Sequence, residues 1–345
     1  MTDKLAIGID IGGTKIAAGV VDEDGRVVAR LRRLTPTTEP AAVIDTIADI
    51  VETFRQDHHV RAVGIGAAGF VDSTQSTVLF APHLAWRHEP LRDAVSRRTK
   101  LPVLVDNDAN ASGWAEWRFG AAQNEPDLVL VTLGTGIGGA LVIDGQPYRG
   151  RFGIAGEFGH MQVVPDGRPC ECGNAGCWEQ YASGRVLSRR AQAAAVEGTE
   201  LGLRLLEAAG GDVADVEGVQ VTQLAREGDR QAAAWIAEVG DWLGVGIANL
   251  AAALDPGLFV VGGGVSDAAD LLIGPARESF SRTLTGRGYR AEPRIVRAHL
   301  GAEAGLIGAA DMARLTARRR RPANPAARAR VRAAARSGRS PLRRR

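Results

Sequence analysis

Apolar residues recur along this chain in two patterns, and each pattern predicts a different kind of element. Residues 5–10, 16–21 and 26–33 form short apolar or alternating stretches separated by turns at 11–15 and 22–25, which predicts three consecutive strands. Residues 230–254 instead place apolar side chains at three- and four-residue steps, which predicts a long helix whose stripe is core or a subunit interface. The chain therefore has an α/β pattern.

The strand–turn–strand unit at the beginning of the chain returns in its middle. Residues 128–133 predict an apolar strand, 134–139 a glycine-rich turn and 140–143 another strand. Two such units predict two related α/β lobes that face a shared phosphate. A third glycine cluster, at 262–266, lies between a strand over 258–261 and a helix over 267–284, which suits the base and ribose of a nucleotide. The Walker lysine pattern is absent from the sequence, and a strand after the glycines argues against a Rossmann fingerprint.

The glycine turns supply a set of candidate nucleotide-binding residues. Glycine lets backbone N–H groups approach an anion closely, and Thr14 and Lys15 add side-chain donors to the first turn. Asp10, at the end of the first strand, is suited to hold a hydrated Mg²⁺. The predicted set is Asp10, Gly12, Gly13, Thr14, Lys15, Gly134, Thr135, Gly136, Gly138, Gly262, Gly263 and Gly264.

Two acids and two amides stand together at 106–110, after a strand predicted over 102–105. They are poor core material, because each buried polar group without a partner costs about 1–3 kcal/mol. One of them, Asp108 being the candidate, would cap a helix that continues to Phe119. A cap does not explain the whole set, and a general base beside a sugar hydroxyl explains it better.

The three cysteines of the chain lie close to one histidine, in the order His160, Cys170, Cys172, Cys177. Zinc prefers four nitrogen or sulfur ligands in a tetrahedron, and a Cys₃His set leaves no open position, so the cluster predicts a structural site. A disulfide framework fits less well, because an odd number of cysteines cannot all pair. The carboxylates of Glu157 and Glu179 flank the cluster, which would fix their directions.

Composition adds a contrast between the body of the chain and its end. The chain of 345 residues has 45% hydrophobic and 24% charged residues, as is typical of a globular protein without a membrane span. Twelve of its 42 Lys and Arg lie in residues 317–345, which hold no Asp or Glu, so residues 1–316 carry 30 basic against 40 acidic side chains. Residues 317–345 are predicted to be a disordered basic tail, able to bind polyanions without specific nucleic-acid recognition. Without a secretory signal, the expected location is the cytoplasm.

Five motifs together resemble the ROK family of repressors, open reading frames and kinases: residues 10–15, 106–110, 134–139, 157–160 and 170–179. The likeness extends over about residues 5–315 and is strongest to the zinc-containing, ATP-dependent bacterial glucokinases within that family. It implies a two-lobed α/β fold of the actin-like, hexokinase type (ribonuclease H-like) with a cleft between the lobes. The smaller lobe would comprise 1–108 plus 301–316, and the larger lobe, with the zinc loop, would comprise 109–300.

The resemblance also implies an activity and a role for each site residue. ATP would lie across the glycine turns with Mg²⁺, zinc would be structural, and glucose would bind deep in the cleft. Asp108 would be the base that takes the proton of the sugar 6-hydroxyl as it attacks the γ-phosphoryl group. The implied sugar-binding residues are Gly69, Asn107, Asp108, Glu157, His160 and Glu179, and the implied assembly is a homodimer or homotetramer.

Other activities within the family stay open at this point. A kinase for N-acetylglucosamine or N-acetylmannosamine would need room beside the second sugar carbon, although residues 86–91 resemble the glucokinase version. A sugar-binding repressor would carry a helix-turn-helix domain ahead of the body, whereas the first glycine turn here begins right after Asp10. Polyphosphate replaces ATP in some branches of the family, but those branches lack the cysteine cluster.

Overall fold

The computed structural model describes residues 5–36, 39–82 and 84–320, with the side chains of residues 319 and 320 excepted. Its main strands form two five-stranded sheets, and each sheet is the centre of one α/β lobe. The two-lobed α/β fold that the repeated strand–turn–strand units predict is therefore confirmed. No helix within the described ranges is long and apolar enough to cross a bilayer.

The first lobe contains a mixed sheet, a small antiparallel sheet and two helices. Its elements are β1 (Leu5–Ile11), β2 (Lys15–Val21), β3 (Val27–Leu34), α1 (Pro40–Asp57), β4 (Val60–Ala67), β5 (Phe70–Val71), β6 (Val78–Phe80), β7 (Arg87–Glu89), α2 (Leu91–Thr99) and β8 (Val103–Asn107). The main sheet has the order β3–β2–β1–β4–β8. Strands β1 to β3 are antiparallel, whereas β1, β4 and β8 are parallel. Strands β5, β6 and β7 form the small sheet.

The second lobe repeats the same topology. Its elements are α3 (Asp108–Phe119), β9 (Leu128–Leu133), β10 (Ile137–Ile143), β11 (Gln146–Tyr148), α4 (Gly184–Glu197), α5 (Glu200–Ala208), α6 (Gly218–Arg226), α7 (Arg230–Leu254), β12 (Leu258–Gly262), α8 (Asp270–Thr283) and β13 (Arg294–Arg297). The last helix of the described residues, α9 (Ala304–Arg320), follows them in the chain. The sheet order is β11–β10–β9–β12–β13, again with three antiparallel strands followed by two parallel neighbours. The predicted relation between the two halves of the chain is therefore visible in the strand order.

The apolar stripe of α7 is core within this chain. Ile236, Leu243 and Ile247 are fully buried, and α7 packs along α8. Leu254, at the end of the stripe, is 39% exposed, because the helix ends there and leaves the core. The helix predicted over 267–284 is interrupted: residues 264–268 form a 3₁₀ turn, and α8 begins only after Ala269, whose φ is +52°.

The last helix returns to the first lobe and packs with its backbone against the sheet. Gly8 of β1 pairs with Gly64 of β4, and α9 crosses both strands. A Cβ on Gly64 would lie 1.8 Å from the carbonyl oxygen of Ala309, and a Cβ on Gly8 would lie 1.8 Å from that of Leu306. Since only glycine has no Cβ, these two positions allow the close contact.

Helix α9 also changes the predicted beginning of the basic tail. The helix continues to Arg320, so residues 317–320 are helical rather than disordered. The physical reason is local packing, because Ala317 contacts the apolar cluster that α9 shares with Trp114 and Leu306. The rest of the predicted tail, residues 321–345, lies outside the described residues.

Candidate active site

Three parallel strands of the first lobe end at the same edge of the sheet. Asp10 on β1, Gly66 on β4 and Asp106 on β8 lie in register with one another. Asn107 then ends β8, and Asp108 is the first residue of α3. The parallel arrangement therefore brings the predicted Mg²⁺ ligand and the predicted base to one edge, beside the second lobe.

The junction between β8 and α3 determines how Asp108 is presented. The Asn107 side chain caps the helix, since its Oδ1 accepts the N–H of Asn110 at 3.1 Å, so the expectation that Asp108 is the cap is wrong. Asn107 also donates from Nδ2 to the carbonyl oxygen of Gly69 at 3.1 Å. The carboxylate of Asp108 accepts the adjacent N–H of Ala109 at 2.9 Å through Oδ1.

Several carboxylates lie close enough to influence one another. Burial raises the pKa of Asp10 to about 7, and the charge of Asp108 adds to the effect while Lys15 opposes it. Burial also raises the pKa of Glu157 to about 7, with further contributions from Asp108 and Glu179. The pKa of Asp108 itself is raised by burial. A cluster of acids with raised pKa values is typical of sites that move protons or bind cations.

The predicted glycine turns all lie between the elements expected of them. The first turn, Gly12, Gly13 and Thr14, connects β1 to β2, and Lys15 is the first residue of β2. The second turn, Gly134, Thr135 and Gly136, connects β9 to β10, and Gly138 lies on β10. At the third turn, Gly262 ends β12, and Gly263 and Gly264 follow it. The second turn lies beside Glu179, because a Cβ on Gly136 would be 2.4 Å from Glu179 Oε2. That same oxygen lies 3.4 Å from the backbone N–H of Ile137, which donates to it.

The cysteine cluster forms the other wall of the site. The ligand atoms of His160, Cys170, Cys172 and Cys177 all lie within 4.8 Å of one another. His160 Nδ1 lies 3.7 Å from Cys170 Sγ, and Cys172 Sγ lies 3.6 Å from Cys177 Sγ. Three sulfurs and one nitrogen in this proximity fit a closed tetrahedral zinc site.

Glu157 and Glu179 are carried by short 3₁₀ turns that adjoin the cysteine cluster. Glu157 precedes the turn Phe158–His160, and Glu179 lies within the turn Trp178–Gln180. Glu179 Oε1 lies 3.8 Å from His160 Nδ1. The structure thus brings both carboxylates to the side of the cleft where Asp108 lies, as their mutual effects on pKa also indicate.

The residues that hold Asp106 have no signal in the sequence. This carboxylate is 1% exposed and accepts hydrogen bonds from Gln75 Nε2 at 2.7 Å and from Arg149 Nη2 at 2.6 Å. Gln75 belongs to the loop between β5 and β6, and Arg149 follows β11 in the other lobe. The composition of residues 106–110 indicates that Asp106 needs partners, but no pattern near Gln75 or Arg149 identifies them.

Comparisons with known proteins agree with this fold. The family model described as "ROK family" matches residues 6–315. Glucokinase of Streptomyces coelicolor is 49% identical over 310 residues, which cover 90% of this chain and 98% of that protein. The crystal structure of a ROK family glucokinase from Streptomyces griseus, in complex with glucose and AMPPNP, has a TM-score of 0.84 and 51% identity, covering 90% of this chain and 99% of that one.

A relative with a different sugar substrate in its name is more distant. N-acetyl-D-glucosamine kinase of Salmonella typhimurium is 35% identical over 314 residues, which cover 88% of this chain and 97% of that protein. The family model alone spans most of the chain, and both kinds of relative align over nearly their whole length. This chain therefore belongs to the ROK family.

Proposed function

We propose that this protein transfers the γ-phosphoryl group of ATP to the 6-hydroxyl of glucose. The observation that carries the proposal is the buried carboxylate of Asp108 at the beginning of α3, close enough to the carboxylates of Asp10 and Glu157 to influence their pKa values. Relatives named glucokinase at 49% identity, and one at 51% that was crystallised with glucose and an ATP analogue, support glucose and ATP as the substrates.

In the proposed reaction, Asp108 accepts the proton of the sugar hydroxyl as that oxygen attacks phosphorus. Burial favours this role, because a raised pKa makes the carboxylate a stronger base than an exposed aspartate. Asn107, Gly69, Glu157, His160 and Glu179 would orient the sugar by hydrogen bonds. Phosphoryl transfer depends mainly on alignment and charge neutralisation, so one base and a set of fixed donors are sufficient.

The nucleotide would lie along the three glycine turns, with backbone N–H groups directed to its phosphates. Asp10 is the proposed residue for a hydrated Mg²⁺, which would neutralise charge on the phosphates when bound. The raised pKa of Asp10 supports this, because a carboxylate buried near Asp108 gains from a nearby cation. Zinc would be held by His160, Cys170, Cys172 and Cys177 and would stiffen the loops that carry Glu157 and Glu179.

Membership of the family also supports an oligomeric state and a location for the enzyme. We expect a homodimer or homotetramer, which the mass of the purified protein in solution would test. Because ATP is the proposed phosphoryl donor, we expect the enzyme to work in the cytoplasm.

The decisive experiment is a panel of sugars and donors with the purified protein and Mg²⁺. Glucose, mannose, N-acetylglucosamine and N-acetylmannosamine are each offered with ATP, and glucose is also offered with polyphosphate. Highest kcat/KM with glucose and ATP is the expected result. A preference for an N-acetyl sugar would favour the second candidate, which the 35% identical N-acetyl-D-glucosamine kinase supports. Sugar binding without turnover would indicate a regulatory protein instead.

A further inference from the structure

We propose that Arg149 is a positioning residue for the transfer reaction: through Asp106 it fixes the beginning of the helix that carries Asp108. The inference rests on the proposed function, because it gives Arg149, a residue outside the predicted site, a part in the same reaction. Arg149 does not reach Asp108 in any described contact, and it acts through the chain of hydrogen bonds that follows.

The first link is a buried ion pair between the lobes. Arg149 donates from Nε at 2.8 Å and from Nη2 at 2.6 Å to Oδ2 of Asp106. The side chain of Asp106 is 1% exposed and that of Arg149 18%, so solvent screens the pair little. Hydrogen bonds between ionised partners are short and strong, and they hold both groups in a narrow range of orientations.

The second link passes from Asp106 to both sides of the base. Its other oxygen, Oδ1, accepts the backbone N–H of Asn107 at 2.9 Å and Nδ2 of Asn110 at 3.1 Å. Asn107 precedes Asp108 directly, and Asn110 is the residue whose N–H the cap of α3 satisfies. The orientation of the Asp106 carboxylate therefore determines where the first turn of α3, and with it Asp108, lies.

The third link connects Arg149 to the opposite wall of the cleft. Its carbonyl oxygen accepts the N–H of Ala155 at 3.0 Å, which closes the loop that leads to Glu157. Nη2 of Arg149 also lies 3.7 Å from Sδ of Met312 in α9. The main chain of Arg149 thus holds the loop before Glu157, while its side chain holds Asp106 at the end of β8, and these two segments belong to different lobes.

A simpler role for Arg149 would be to neutralise the buried Asp106 charge, and a double variant separates the two roles. In Arg149→Met alone, the Asp106 carboxylate loses its counter-ion, which destabilises the fold. Asp106→Asn combined with Arg149→Met removes both charges and should restore the melting temperature. If Arg149 only neutralised charge, this double variant would regain activity, whereas a positioning role predicts that its kcat stays low.

Gln75 provides a matched control for the lost hydrogen bond. It donates to the same Oδ2 of Asp106 at 2.7 Å, but it belongs to the first lobe, as Asp106 does, and does not join the lobes. Gln75→Met removes a hydrogen bond to Asp106 but keeps the connection between the lobes, so it should lower kcat much less than Arg149→Met does. Arg149→Lys should recover much of the activity, because both Arg149 donors contact a single oxygen that one ammonium group can also serve.

The experiment measures kcat and the two KM values for wild type and these variants, with each rate divided by the folded fraction from circular dichroism. We expect Arg149→Met and the double variant to lose about 100-fold in kcat, as a small misplacement of reacting groups can cause, with little change in the KM for ATP. A double variant with wild-type kcat would overturn the inference while the proposed function stands. A wild type that phosphorylates none of the sugars would overturn the proposed function, and the inference with it.

Discussion

Oε1 of Glu179 lies 3.3 Å from Sγ of Cys170, so a carboxylate proposed to bind the sugar is in direct contact with the cysteine cluster. Its second oxygen accepts the backbone N–H of Ile137 at the end of the second glycine turn. Glu179 is thus held between the cluster and the turn proposed to bind phosphate. A change in the cysteine cluster will therefore move the carboxylate of Glu179, which is proposed to bind the sugar.

Loss of one cysteine ligand should weaken sugar binding more than nucleotide binding. We expect Cys172→Ala to lower bound zinc and to raise the KM for glucose by about tenfold or more, since Glu179 and His160 lose their fixed positions. Zinc content by mass spectrometry and steady-state kinetics measure the two effects. Wild type stripped by a chelator should lose glucose affinity and regain it with added zinc. A zinc-free Cys172→Ala protein with normal glucose KM would contradict the role of the cluster.

Replacement of the proposed base should stop transfer without preventing sugar binding. Asp108→Asn keeps the size of the side chain and the hydrogen-bond acceptor for Ala109, but an amide cannot take the hydroxyl proton. We expect kcat to fall by about 10²–10⁴-fold, while calorimetry still detects glucose binding. Asp24→Asn, at an exposed turn outside the proposed site, is the control and should behave as wild type. An Asp108→Asn enzyme with substantial turnover would exclude Asp108 as the base.

The rate should fall on acidification at a higher pH than an ordinary aspartate would cause. Burial raises the pKa of Asp108, and only its ionised form accepts a proton, so activity is present above the raised pKa and is lost below it. Protonation of Asp10 and Glu157, whose pKa values are raised to about 7, acts in the same direction.

We therefore expect the acid limb of kcat/KM for glucose to lie well above the ordinary aspartate value of about 4. A pH series with a coupling system shown not to limit the rate measures it, and circular dichroism at each pH shows that the protein stays folded. A rate that is flat down to about pH 5 would argue against a base with a raised pKa.

The connection between the lobes depends on a buried glutamate. Glu116 of α3 is fully buried and accepts the N–H groups of Ala121, His299 and Leu300 at 2.8, 3.0 and 2.7 Å. The amide of Glu116→Gln can accept with one end only, which leaves a buried N–H without a partner. We expect the free energy of unfolding to fall by about 2 kcal/mol, seen as a lower melting temperature. The exposed Glu207→Gln on α5 is the control and should show no such change.

The sequence indicates those parts of the fold that depend on local pattern. Strands β1, β2, β9, β10 and β12 and helix α7 are predicted because apolar periodicity and glycine turns are properties of short segments. The cysteine cluster is predicted for a similar reason, since its ligands lie within residues 160–177 and the structure brings them together. The first residue of α3 is less accessible to prediction, because Asn107 and Asp108 are both good caps and only the contact with Asn110 distinguishes them.

The interactions that join distant segments have no local signal. Arg149 and Asp106 are an example, because an arginine after a short edge strand resembles any surface arginine until the other lobe is present. The same holds for Glu116, whose acceptors bind backbone N–H groups of residues 299 and 300. Nearly every residue type has the same backbone N–H group, so the residue type does not show which N–H groups a buried carboxylate will bind.

The packing of α9 on Gly8 and Gly64 has a consequence for the order in which the protein is made. The sheet of the first lobe is synthesised early, but one of its faces stays uncovered until residues 304–320 leave the ribosome. The second lobe lies between these segments in the chain, and its main strands and helices are complete by Arg297. Because domains fold as their segments emerge, the lobe that begins the chain is the last to be finished. The emergence of residues 304–320 from the ribosome therefore sets the earliest time at which the cleft between the lobes has both of its walls complete.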